Sequence, residues 1–157
     1  MAHIAFFAGS FDPPTLGHLD LVLRARAVAD RLVVGVGHNP QKSPWLPLEE
    51  RLALLSELLP ADVAVTSFEG LAVDAARRAG ATLLVRGVRS ESDLALELPM
   101  ALANRRLAPE LETMLLVGAP ELAHVSSRLV REIVRAGGDA RSFLPPLVAQ
   151  RLSRRPP

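Results

Sequence analysis

The 157-residue sequence contains no cysteine. Disulfide staples, thiol nucleophiles and cysteine-based zinc sites are excluded together, and a reducing compartment is expected. Net charge is nearly absent as well: 18 Lys+Arg stand against 17 Asp+Glu, a balance of +1. Such a chain has no electrostatic footprint for nucleic acid or an acidic membrane, so neither is expected as a partner. No apolar run approaches the ~18 residues that suggest a membrane span. The opening stretch MAHIAFFAGSFDPPTLGH has neither the basic lead nor the long apolar run of a signal peptide. The cytoplasm is the expected location. Internal repeats and Gly/Ser-rich linkers are missing, so residues 1–157 are expected to form a single domain. His3, His38 and His124 have no acid at metal-ligand spacing, and no protein-held metal is expected.

What is present is apolar and periodic. Hydrophobic residues make up 49% of the chain, which excludes disorder and is enough for one buried core. His3–Ala8 is a short apolar run ending at Gly9 and reads as a buried strand. Leu19, Val22, Leu23 and Ala27 then mark one face of a helix from about Leu16 to Ala29. Arg31–Gly37 is a second strand, followed by a polar loop, His38–Pro44. Pro47 starts a helix with Glu49 and Glu50 in its first turn, where the dipole favours acids. Asp62–Phe68, Ala81–Val85 and Thr113–Val117 read as further strands. Leu71–Ala79, Leu94–Leu107, Ser126–Ala136 and Pro146–Arg151 read as helices, the first closed by Gly80. Apolar strands alternating with helices predict an α/β, Rossmann-like, doubly wound fold, with a five-stranded parallel sheet covered on both faces. Ligands of such sheets bind beyond the carboxyl ends of strands, where strand order reverses. The loops expected to hold chemistry are Gly9–His18 and Arg86–Arg89.

Gly9–His18 (GSFDPPTLGH) is an unusual strand-to-helix turn. Gly9 releases the chain from the strand, Pro13-Pro14 fixes its path, and Thr15 and His18 share a face of the first helical turn. Gly17 leaves room for a ligand to approach the backbone. A helix N-terminus favours phosphate through its amides and dipole, and a histidine there adds a donor. The plain alternative is a proline-rich turn capped by Ser10 or Asp12, but the whole arrangement after a first strand favours nucleotide binding. Two other features carry less. Gly35-Val36-Gly37 is half of a dinucleotide fingerprint without its third glycine, and the basic tail Arg151–Pro157 reads as a solvated end.

The Gly9–His18 segment resembles the (H/T)xGH signature of the nucleotidyltransferase superfamily. NPQKSP with Lys42, LEER (Leu48–Arg51), RGVR (Arg86–Arg89), NRRLAPELET (Asn104–Thr113) and VSSRLVRE (Val125–Glu132) extend the resemblance. In order and spacing they resemble the bacterial phosphopantetheine adenylyltransferase family over nearly the full length. That resemblance implies transfer of the adenylyl group of Mg²⁺-ATP to 4′-phosphopantetheine, giving dephospho-coenzyme A and pyrophosphate in coenzyme A biosynthesis. It also implies a homohexamer inhibited by coenzyme A.

By the same resemblance His18, Ser10, Lys42 and Arg89 form the catalytic set. ATP would be met by Ser10, Phe11, His18, Gly87, Val88, Arg89, Glu97 and the stretch Leu122, Ala123, His124, Val125, Ser126, Ser127 and Arg128. Ser10, Lys42, Ala72 and Arg86 would hold the acceptor. No Ser-His-Asp set is present, which suits a direct in-line displacement that rests on placement and charge stabilisation. Four positions depart from the family pattern: Leu16 for Asn, Leu96 for a common Tyr, Pro99 for a polar helical residue, and Arg128 for a third serine. A mid-helix proline removes an amide and crowds the preceding turn. A helix starting near Pro99, with Glu97 displaced, therefore stands beside the Leu94–Leu107 reading. Adenylyl transfer to nicotinate mononucleotide, cytidylyl transfer, and a non-catalytic module that binds ATP or coenzyme A are the competing functions.

Overall fold

Neighbouring residues of the first strand, β1 (Ile4–Gly9), point into two different cores. Ala5 and Phe7 pack with Leu21, Val22, Ala25 and Leu55, whereas Phe6 and Ala8 pack with Val73, Ala76 and Leu84. A strand alternates its side chains, so two apolar faces demand a covering layer on each side. The structure is a computed structural model that describes residues 3–39 and 41–154. Met1, Ala2, Pro40 of the Lys42 loop, and Arg155, Pro156 and Pro157 of the basic tail lie outside the described residues.

The elements follow in strict alternation: α1 (Leu16–Val28), β2 (Arg31–Gly37), α2 (Leu48–Leu58), β3 (Ala64–Phe68), α3 (Ala72–Arg78), β4 (Leu83–Val88), α4 (Glu91–Leu107) and β5 (Glu112–Val117). Then α5 (Ser127–Arg135) and α6 (Pro146–Ser153) close the described chain, each preceded by a short 3-10 turn, Pro120–Leu122 and Arg141–Phe143. The five strands form one sheet in the order β3-β2-β1-β4-β5. All neighbours are parallel, with Phe6 of β1 opposite Val33 of β2 on one side and Leu84 of β4 on the other. The order reverses between β1 and β4, which makes their carboxyl ends the mouth of the sheet. Helices α1 and α2 supply the first core and α3 the second. A third cluster, Leu46, Leu54, Val130, Ala140, Leu144 and Val148, joins α2 to α5 and α6.

The predicted α/β fold and parallel sheet are present, with three differences that matter. β4 runs to Val88, so Arg86, Gly87 and Val88 belong to the strand and do not form a loop after it. Hydrogen bonding to β5 continues through Arg86, Gly87 and Val88, and the strand alternation thereby sends Arg86 and Gly87 to opposite faces. Secondly, α4 starts at Glu91, ahead of both Leu94 and Pro99. Ser90 caps it by accepting the Asp93 amide, and Glu91 and Asp93 complement the dipole, so the helix is nucleated before the proline is reached. Thirdly, the helix after the Gly9–His18 turn is capped by Thr15, in place of Ser10 or Asp12.

Candidate active site

Thr15 and His18 cap α1 reciprocally. The Thr15 Oγ1 accepts the His18 amide at 3.3 Å, and His18 Nδ1 accepts the Thr15 amide at 3.1 Å. This is a capping box in which histidine replaces the usual glutamate. With Nδ1 occupied as an acceptor, the neutral ring carries its proton on Nε2, the nitrogen turned away from Thr15. Burial, then the charges of Arg89 and Arg86, push the His18 pKa down from 6.5 to about 4. His18 lines the crevice above the β1 and β4 ends as a neutral donor.

Beneath the ring lies Phe11, buried and in the left-handed region with φ 50°. Its ring centroid is 5.0 Å from that of His18 and 6.1 Å from that of Phe7. A side chain at Gly9 would meet the Phe11 ring at 3.0 Å, so the glycine gives the ring its place. Strain of this kind persists only where packing over-determines it, and here it seats the imidazole. The Phe11 ring belongs to the first core.

The crevice gathers Ser10, Phe11, His18, Ala72, Arg86, Gly87, Arg89, Glu97, Ser126, Ser127 and Arg128. Strand alternation divides them. Arg86 shares its parity with Leu84 and lies toward α4, where Glu97 accepts both its Nη2 at 2.6 Å and its Nε at 2.9 Å. Its Nη1 donates to the Ala8 carbonyl at 2.7 Å. Glu97 is thus held in the crevice and is not displaced by Pro99, because α4 is already formed ahead of it. Gly87 lies toward α1, where an added Cβ would come within 2.2 Å of the Leu21 side chain. Arg89 is anchored by Asp93 and by the Val125 carbonyl, to which its Nη1 donates at 2.6 Å.

The start of α5 closes the crevice. Ser126 Oγ accepts the Leu129 amide, and Ser127 Oγ donates to the Pro13 carbonyl at 2.7 Å. Both hydroxyls are engaged in holding the helix, and Ser126, Ser127 and Arg128 at its start line the crevice. Arg128 pairs with Glu132 in solvent.

Some sequence-predicted residues are not brought into this crevice. Val88 is buried beneath it, Ala123 and His124 are exposed beyond it, and His124 packs against Phe143 at 5.8 Å. Leu122 ends the 3-10 turn outside the lining, and Val125 is buried with only its carbonyl turned to Arg89. Lys42 lines an adjoining recess that shares Ser10 and Asp12 with the crevice.

Residues to which the sequence reading gave no role in the site hold these parts in register. Asp12 accepts the Trp45 and Leu46 amides, Arg131 donates to the Asp12 carbonyl, and Asp20 accepts the Ala119 amide at 3.0 Å. Buried Arg51 donates to the Ser10 carbonyl at 2.8 Å and the Gly37 carbonyl at 3.1 Å. The Asp12 inside the motif and the Arg51 inside LEER were the available signals.

Among the described residues, no group of three or more histidine or acidic side chains could cage a metal. The crevice donors are guanidinium, imidazole and amide groups, and its acids are already engaged, Asp93 and Glu97 by arginines and Asp12 by the Trp45 and Leu46 amides. This donor set suits phosphate oxygens, with any divalent ion held by those oxygens and water. No helix of the described residues is long and apolar enough to cross a membrane.

Comparison with known proteins agrees with this geometry. The profile of the cytidylyltransferase-like family matches residues 6–133. A phosphopantetheine adenylyltransferase of Clavibacter michiganensis is 52% identical, with 98% of this chain and 97% of the relative covered. One from Allorhizobium ampelinum is 47% identical, with 97% of each covered. Among solved structures, a bifunctional NMN adenylyltransferase/ADP ribose pyrophosphatase from Francisella tularensis superposes with a TM-score of 0.68 at 16% identity. That match covers 92% of this chain and 45% of the larger protein, and it speaks for the fold alone. A neutral histidine at the switch point of a parallel sheet, the basic strand end beside it and relatives at this identity lead to one assignment: the chain belongs to the cytidylyltransferase-like family and, within it, to the phosphopantetheine adenylyltransferases.

Proposed function

We propose that the protein transfers the adenylyl group of ATP to 4′-phosphopantetheine, with dephospho-coenzyme A and pyrophosphate as products. The observation that carries the reading is the Thr15–His18 capping box, which aims a neutral imidazole donor at the mouth between β1 and β4. Relatives that bear the name phosphopantetheine adenylyltransferase over nearly the whole chain support the substrate.

In this reading the triphosphate lies between the α1 and α5 N-termini. His18 Nε2–H bonds an α-phosphate oxygen, and Arg89 and the first amides of α5 hold the β and γ groups, while the space of the missing Gly87 side chain is taken up by Leu21 of α1. The acceptor phosphate lies on the Lys42 side, with Ser10 between the two. Arg86, held by Glu97, and Ala72 line the path of its pantetheine arm. A phosphate oxygen of the acceptor forms a bond to the α-phosphorus while the bond to the β-phosphate oxygen breaks, and pyrophosphate leaves. No proton transfer by the protein is required. Positive charge and oriented donors stabilise the charge that builds on the α-phosphate oxygens. A divalent ion, Mg²⁺ in this reading, would be held by the phosphate oxygens of ATP and water, and would offset phosphate charge.

The cytoplasm as working compartment belongs to the same proposal, as do inhibition by coenzyme A and assembly into a homohexamer. Leu94, Leu98 and Leu102 stand at i, i+4 and i+8 on α4 and are 43%, 50% and 58% exposed. This apolar stripe is the face we assign to a second copy of the chain.

The test is pyrophosphate release from Mg-ATP with 4′-phosphopantetheine or nicotinate mononucleotide as acceptor. Turnover with the first is expected. Turnover with the second alone would reject the substrate, and nucleotide binding without turnover on either would favour a sensing module.

A further inference from the structure

The loop carrying Lys42 is stapled at both ends to the turn carrying Ser10 and His18. It leaves β2 at Gly37, whose carbonyl shares the Arg51 guanidinium with the Ser10 carbonyl, at 3.1 and 2.8 Å. It returns at Trp45 and Leu46, whose amides both reach the Asp12 carboxylate at 2.7 Å. Between these points the loop is polar, with an Asn39-centred turn that accepts the Gln41 and Lys42 amides. Lys42 itself is exposed.

We infer that Asp12 and Arg51 are positioning residues that fix the Lys42 loop against the Gly9–His18 turn, and so set where the acceptor phosphate sits relative to the α-phosphorus. Neither needs to touch substrate. This deepens the proposed function and rests on its placement of the acceptor phosphate at Lys42.

The chemistry favours such a role over plain packing. Arg51 is only 2% exposed, and burying a guanidinium costs more than burying an apolar side chain of similar volume. Here the two carbonyls it joins lie on the two segments whose spacing matters. Asp12 behaves alike. Its carboxylate accepts two amides that converge from one loop end, a charge-assisted arrangement that asparagine cannot copy, since its NH₂ would face an amide donor. Arg131 meanwhile donates to the Asp12 carbonyl and Ser127 to the Pro13 carbonyl, so α5 has its own hydrogen bonds to the turn besides the packing of Val130 with Leu46.

The experiment uses the full chain with Asp12→Asn and, for the other end, Arg51→Met and Arg51→Lys. Loss of one charge-assisted hydrogen bond corresponds to roughly tenfold or more. KM for the acceptor is expected to rise by that factor, with the dissociation constant of a non-hydrolysable ATP analogue within about threefold of wild type. Trp45, the single tryptophan of the sequence, is half-buried at the return staple and reports the loop directly. Its emission is expected to shift to the red in Asp12→Asn at native circular dichroism, and Arg51→Lys should recover part of the acceptor KM lost in Arg51→Met. Parallel loss of ATP-analogue and acceptor affinity would overturn the inference, as would an unchanged acceptor KM in both folded variants. If wild type uses nicotinate mononucleotide instead, the substrate assignment fails, and the same variants are read with that acceptor. Should Asp12→Asn not fold, the Arg51 pair decides.

Discussion

The proposed role gives the His18 ring two jobs. Nδ1 completes the cap of α1, which fixes the tautomer and leaves the Nε2 proton for the phosphate donor bond proposed above. His18→Ala is expected to keep the fold and to lower kcat by roughly 10²–10³, the usual cost of one transition-state donor. Steady-state kinetics beside circular dichroism checks this. A pH effect follows from the same residue. Between 6.5 and about 4 the folded protein binds fewer protons at His18 than the unfolded chain does, so stability falls as pH is lowered through that window. The loss is no more than about 3 kcal/mol, and less because the half-buried ring retains some solvent. Denaturant midpoints measured from pH 7 to 4 should decline more steeply for wild type than for His18→Ala.

At the scale of elements, α4 is the test of how helix signals compete. Ser90, Glu91 and Asp93 nucleate it, and Pro99 sits in its interior at a cost, since the missing amide leaves the Ala95 carbonyl without its helical donor. Pro99→Ala is expected to stabilise the protein by about 1–3 kcal/mol, read from urea unfolding, with the Arg86–Glu97 pair intact. The Ser-x-x-Asp signal at Ser90 was visible in the sequence, and reading it would have placed the helix start. Gly35 shows the opposite case. A Cβ there would come within 2.2 Å of the Phe6 ring, so it answers to a neighbouring strand and not to the nucleotide that its Gly-Val-Gly setting suggested. Strands and helices announced themselves through local periodicity. The staples at Asp12, Arg51 and Asp20 did not, because each joins segments distant in sequence through backbone groups that carry no residue identity.

For the whole molecule, a parallel sheet with its order reversing between β1 and β4 creates one mouth, and the two motifs emerge at it from adjacent strands. That placement was legible early, since consecutive strand-helix units wind away from a central first strand in both directions. What was not legible was the division of the mouth by strand parity, which sends Arg86 toward α4 and Gly87 toward α1. The stripe on α4 also belongs to this scale. Leu98→Glu is expected to shift the protein toward smaller species in sedimentation, with its circular dichroism unchanged. A monomeric wild type would remove the need for any partner on that face.

The account depends on the imidazole meeting the phosphate chain of the nucleotide. A crystal structure of the protein with a non-hydrolysable ATP analogue tests this most directly. His18 Nε2 should lie within hydrogen-bond distance of an α-phosphate oxygen, with Arg89 and the α5 amides on the outer phosphates. A ring turned away from the nucleotide, or an analogue bound elsewhere with the crevice unfilled, would contradict it.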